Sequence, residues 1–107
     1  MSQDDIKAQV VRKALVLCEK RIENYSGAAM PEILDSIKRQ LEWLVSYFEG
    51  RNNEREKLHT LVFGHYAERE LDERDNEFVE ALYKANYVAS QTVKGLKIDL
   101  GVIESDS

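Results

Sequence analysis

The chain has 107 residues, 20 acidic against 15 basic side chains, a net charge of -5 and one cysteine. That is the size of one domain burying somewhat over ~60 % of its unfolded surface, and the lone Cys18 excludes an intramolecular disulfide framework. The acidic start MSQDDIK and apolar runs broken by charge argue against a secretory leader or a bilayer span, and the acidic balance argues against phosphate-mediated nucleic-acid binding; a cytoplasmic protein is expected.

The residues predict helix after helix, hence an all-α, compact bundle of four to five helices. From Asp4 to Tyr25, the apolar residues Ile6, Val10, Ala14, Leu17, Cys18, Ile22 and Tyr25 recur three or four apart, as one helical face requires. Asp4 or Ser2 can cap its start, and Ser26-Gly27 can end it. Cys18 lies within the stripe and reads as a small buried hydrophobe rather than a nucleophile.

The second helix is bounded by Pro31, suited to a first helical position, and by Gly50, suited to the left-handed position beyond the last turn. Ile33, Leu34, Ile37, Leu41, Leu44, Val45 and Phe48 form its core stripe. Trp43 and Tyr47 fall beside that stripe, one turn apart. They either wrap the core edge against a neighbouring helix or stand exposed as anchors for a partner.

A third helix is expected to begin with Asn53 as cap and Glu56 in capping-box position, with Leu58, Leu61, Val62 and Tyr66 facing inward. Gly64 predicts a bend or a close approach to another helix. Glu56 and His59 match the Glu-x-x-His spacing of di-iron bundles, but such a site needs a second motif and further inward glutamates. His59 and His65, six apart, face different ways. No metal and no cofactor is expected.

From Glu68 to Glu80 the chain carries seven acids (Glu68, Glu70, Asp72, Glu73, Asp75, Glu77 and Glu80) against Arg69 and Arg74, so all the net charge sits in this segment. Asp72 or Asp75 would cap the last long helix, whose stripe is Phe78, Leu82, Ala85, Ala89 and Val93. Tyr83 and Tyr87 lie on its flank, and Gly95 stops it. Leu96, Ile98 and Leu100 then alternate with Lys97 and Asp99, predicting a short extended C-terminal arm. Residues 1–100 are expected to form a single domain, with 101–107 a disordered tail. Like charges crowded ahead of a helix cost stability, a cost often kept for recognition of a basic partner.

At these residues the chain resembles the immunity-protein family that protects bacteria from a type VI secretion toxin hydrolysing NAD⁺ and NADP⁺. The resemblance is carried by Glu70-Leu71-Asp72-Glu73 with Asp75 and Glu77, Ala81-Leu82, Tyr87-Val88, Thr92 and Gly95-Leu96-Lys97-Ile98-Asp99-Leu100. It extends more weakly to Ala14-Leu15-Val16-Leu17 and Arg21, to Lys38 with Gln40-Leu41, and to Leu58-His59, Leu61 and Gly64. It implies a non-catalytic helical protein, an antitoxin that binds the cognate toxin domain and occludes its nucleotide site. Glu70, Asp72, Glu73, Asp75 and Glu77 would supply electrostatic complementarity, with Tyr83 and Tyr87 as adjacent anchors and Trp43 and Tyr47 as a second patch. Two other classes fit the residues less well: a helical adaptor or oligomerisation module with another cytosolic partner, and a metal-carboxylate enzyme on the bundle.

Overall fold

A computed structural model describes residues 2–25, 30–71 and 74–104. Among these, five α-helices follow in order: α1 (Gln3–Glu23), α2 (Pro31–Phe48), α3 (Phe63–Arg69), α4 (Asn76–Val93) and α5 (Leu100–Glu104). A 3₁₀ helix, Arg55–Thr60, precedes α3, and no strand is present among the described residues. The all-α expectation is met. Helix α1 is the centre of the packing, with α2 against one side and α4 against another, while α3 spans α2 and α4.

This central position explains why the single stripe expected of α1 is too narrow. Its buried residues are Lys7, Ala8, Val11, Ala14, Leu15, Leu17 and Cys18, a set spanning about 180° of the helix at 100° per residue. Serving two neighbours takes both sides of the stripe. Ile22 and Tyr25, placed in the stripe by periodicity, are exposed because they lie at or beyond the end of the contact. Ser2 provides the cap: its hydroxyl accepts from the Asp5 amide and the Asp5 carboxylate accepts from the Ser2 amide, a reciprocal capping box. The expected stop at Ser26-Gly27 falls outside the described residues; the helix itself ends at Glu23 with Asn24 as its C-cap.

Cys18 is fully buried, and its thiol donates to the Leu34 carbonyl at 3.3 Å. Burial, with help from Glu19, pushes the thiol from its ordinary value of 9.0 up to about 12. The folded protein therefore holds this proton more tightly than the unfolded chain does. Stability associated with it is intact below the unfolded value and is lost as pH climbs from 9.0 toward about 12. At pH near 8, native protein is expected to resist iodoacetamide while urea-unfolded protein alkylates fully, since only the thiolate reacts. Comparable rates in the two states would put the thiol at the surface.

Helix α2 matches its sequence pattern closely. Pro31 is the first helical residue, and Leu34, Ile37, Leu41, Leu44, Val45 and Phe48 are buried. Gly50 has φ +77° and Gly95, after α4, has φ +71°, the left-handed geometry that only glycine adopts cheaply. Both turns close the same way: the Arg51 amide donates to the Ser46 carbonyl at 2.9 Å and the Leu96 amide to the Gln91 carbonyl at 2.8 Å.

The single third helix expected from Asn53 onward is replaced by two pieces. Leu61 is extended, with ψ 130°, and breaks the chain between the 3₁₀ helix and α3. The amides of Val62 and Phe63 donate instead to the side-chain oxygen of Gln40 on α2, at 2.7 and 3.0 Å. Gln40 thus supplies from a distance the acceptor that a helix start needs. The break reorients the following turn, so that Phe63 and Ala67 are buried and Val62 is exposed. No capping box forms at Asn53, and Asn52 takes the local role by accepting from the Glu54 amide at 3.3 Å. Gly64 meets α4 closely, as expected: a Cβ there would lie 2.6 Å from the Asn86 side chain.

In α4, Phe78, Ala81, Leu82, Ala85, Val88, Ala89 and Thr92 are buried. Beyond it the chain folds back rather than extending with one apolar side. Ile98 is buried, but Leu96 and Leu100 are exposed, because only Ile98 turns toward the core. The Ile98 amide donates to the Gln3 side chain at 3.0 Å, the Gln91 side chain donates to the Lys97 carbonyl at 3.0 Å, and the Asp99 amide donates to the Tyr87 hydroxyl at 2.9 Å. Asp99 then accepts from the Gly101 amide at 2.8 Å and starts α5. Residues 101–104, expected to be tail, are helical together with Leu100, and Ile103 packs against the core; residues 105–107 lie outside the described part.

Candidate partner-binding face

The acidic segment runs from the end of α3 to the first turns of α4, and the fold treats its carboxylates differently. Asp75 occupies the N-cap position of α4 without capping it through its side chain. Arg21, from α1, grips it in a fork instead: Nε donates to Oδ2 at 2.6 Å and Nη2 to Oδ1 at 2.9 Å. Two parallel charge-assisted bonds of this kind suit a guanidinium and a carboxylate especially well. Arg21 also stands 3.6 Å from Glu77 and lies over the Phe78 ring, 5.8 Å from its centroid. The hydrogen bond to Asp75 is the main reason that Arg21 titrates above its ordinary range.

Asp75 is therefore engaged within the chain, where it ties the start of α4 to α1. Glu77 points outward, with 68 % of its side chain exposed. Glu68 and Glu70 are exposed at the end of α3. Glu80 is half-buried and pairs with Lys84 at 3.6 Å. Asp72 and Glu73 lie outside the described residues. Two cations from beyond the segment, Arg21 and Lys84, thus temper a ridge that the sequence presents as predominantly acidic. The Glu80–Lys84 pair has the ordinary i,i+4 spacing of a helix face, whereas the Arg21 pairing is not legible from local spacing, although Arg21 belongs to the weaker part of the family resemblance.

Tyr83 is 45 % exposed on the outer flank of α4. Tyr87, one turn on, is half-buried and its hydroxyl holds the returning arm. The two tyrosines expected as equivalent anchors consequently differ: one is presented to solvent, the other is a clasp. Beside Glu77 and Glu80 a groove of about 350 Å³ opens between α1 and α4, and Lys13, Lys84 and Ile103 help line it. The groove adds opposite charge and an apolar edge to the acidic rim.

Trp43 and Tyr47 are half-buried and packed against the core. Their rings stack with centroids 5.5 Å apart, and Tyr47 meets Phe48 edge-on at 5.6 Å. This is the core-edge arrangement, the first of the two readings their spacing left open. The indole Nε1 of Trp43 is buried without a hydrogen-bond partner among the described residues, and the Trp43 main-chain carbonyl accepts from the Ser46 hydroxyl at 2.7 Å.

No cluster of three or more His, Cys, Asp or Glu side chains able to hold a metal occurs among the described residues. His59 and His65 are both exposed. No helix among the described residues is long and apolar enough to cross a membrane.

Comparison with known proteins gives one consistent picture. The family model for Tsi6 matches residues 6–91. The immune protein Tsi6 of Pseudomonas aeruginosa is 38 % identical over 92 residues, covering 86 % of this chain and 95 % of that protein. A chain of the solved complex of Tse6 with Tsi6 superposes with a TM-score of 0.76 at 36 % identity, covering 87 % of this chain and 96 % of that one.

Proposed function

The chain belongs to the Tsi6 family, and from that premise we propose that it is an immunity protein whose work is to bind a cognate effector toxin and block it. The observation that carries this reading is the match in both sequence and fold to a protein solved in complex with its toxin, along almost the full length of each chain. The toxin chemistry follows from the family resemblance: hydrolysis of NAD⁺ and NADP⁺, stopped by occlusion of the nucleotide site. Binding alone accounts for such a role, and no catalysis by this chain is required.

The binding face we propose is the outward part of the acidic segment, with Glu70 and Glu77 as steering charges and Tyr83 as the adjacent aromatic anchor. Asp72 and Glu73 belong to the same segment and carry the same charge. A site that accepts a dinucleotide's phosphates presents positive potential, and exposed carboxylates on a rigid helix complement it. Asp75 contributes by holding the start of α4 in place, and Tyr87 by securing the arm. Trp43 and Tyr47, stacked and half-buried, support the fold at a second edge and offer a smaller contact surface there.

Co-expression with the toxin encoded beside the gene tests the role directly: cellular NAD⁺ should collapse with toxin alone and be held when this chain is present. Reversing two charges together, Glu70→Lys and Glu77→Lys, is expected to slow association by roughly tenfold or more at low salt and flatten its salt dependence. Tyr83→Ala should act mainly on dissociation, as truncation of an aromatic anchor does. A double reversal with unchanged association kinetics would refute the acidic-face assignment, whereas absence of any complex with wild type would refute the immunity role itself.

A further inference from the structure

On the side of the molecule where the ends of α2 and α4 meet the start of α1, a groove of about 560 Å³ is lined by three cations, Lys7, Arg55 and Lys97, together with Tyr47, Phe48 and the rim acid Asp4. Lys7 is the unusual member. It is only 8 % exposed, and its ammonium lies 5.6 Å from the centroid of the Phe48 ring with no hydrogen bond or ion pair among the described residues. Its apolar stem is buried against the fold and carries the ammonium to the groove, where the cation–π contact holds it in place without satisfying its donors.

The helix-end carbonyls nearby do not serve it. Those of Val45, Ser46 and Tyr47 accept from the amides of Glu49, Arg51 and Gly50, and those of Gln91 and Thr92 accept from Leu96 and Gly95. Arg55 adds a further bond to the Thr92 carbonyl at 2.7 Å and approaches the Tyr47 hydroxyl at 3.4 Å. Asp4 is exposed and forms no ion pair with Lys7. The groove therefore gathers more positive charge than its own residues use, around a largely buried lysine whose ammonium has no acceptor among the described residues. Its volume lies within the range of small-ligand sites.

We propose that this groove is a binding site for a small, multiply charged oxyanion, a phosphate- or carboxylate-bearing molecule, with Lys7 as the inner donor and Lys97 and Arg55 at the mouth. The site faces away from none of the chemistry it needs: an aromatic wall, three cations and a single opposing acid are all in place. It is independent of the toxin, and so is its test.

Isotope-labelled protein is titrated with inorganic phosphate and, separately, with citrate, at an ionic strength held constant with sodium chloride. Saturable shifts are expected at the amides of Lys7, Phe48 and Lys97 with at least one of the two anions, and which of the two binds more tightly identifies the class. Lys7→Met keeps the length and apolar stem of the side chain, and Lys97→Gln changes an exposed residue; each is expected to weaken binding by about fivefold or more, as loss of a charge-assisted bond should. Thermal unfolding gives a second readout: at one anion concentration the wild-type midpoint should rise more than that of Lys7→Met. Shifts reproduced by chloride alone, silence toward both anions, or equal affinity in the Lys97→Gln variant would each overturn the assignment.

Discussion

Phe63→Ala is expected to cost about 3–5 kcal/mol, since it empties a large, fully buried site that the surroundings fill only in part. Phe63 is 0 % exposed, yet a continuous helix from Asn53 would turn it away from the core. Its burial depends on the extended Leu61 and on the Gln40 side chain that receives the amides of Val62 and Phe63. A domain of this size has a total stability of roughly 5–15 kcal/mol, so the variant should sit near the edge of unfolding at moderate temperature. Urea titration of Phe63→Ala beside Phe63→Leu would measure it. A loss under about 1 kcal/mol, the range of ordinary surface substitutions, would show that the third segment does not pack as described.

The second large effect is expected at the Arg21–Asp75 fork. Both side chains are mostly shielded, with exposures of 21 % and 18 %, so the pair is neither a free surface bridge nor a fully desolvated one. Arg21→Met should cost about 2–3 kcal/mol, because it removes two charge-assisted bonds and leaves the carboxylate crowded by acidic neighbours. Asp75→Asn should cost less, about 1–2 kcal/mol, because an amide still accepts one bond from the guanidinium. The double variant should fall short of the sum by about 1 kcal/mol, the signature of a shared interaction. Additive losses would show that the two residues act separately, and would return Asp75 to the set of outward-facing charges.

These two cases divide the chain instructively. Where a segment's partner lies within a few residues, local pattern and structure agree. The α2 stripe, Pro31 at its start and the left-handed glycines Gly50 and Gly95 all follow from short-range sterics and helical periodicity. The resemblance carried by residues 70–100 likewise pointed to the family that the comparisons bear out.

Where the partner comes from a distant element, local pattern falls short. The Gln40 cap, 22 positions before Val62, splits an otherwise plausible helix. Arg21, 54 positions before Asp75, converts a supposed steering charge into a structural clasp. The Tyr87 hydroxyl and Gln3 side chain tie down an arm whose alternation suggested one apolar side.

The sequence by itself determined the all-α class, the helix punctuation at Pro31, Gly50 and Gly95, the apolar face of α2 and the concentration of negative charge between Glu68 and Glu80. Those properties depend on backbone geometry, periodicity and formal charge, which neighbours along the chain decide. Only the tertiary structure decided which carboxylates remain outward, which tyrosine is presented and which is a clasp, why Phe63 is buried and where Lys7 is left without an acceptor. Each of those depends on a side chain brought in from another helix, and no local pattern encodes the direction from which it arrives.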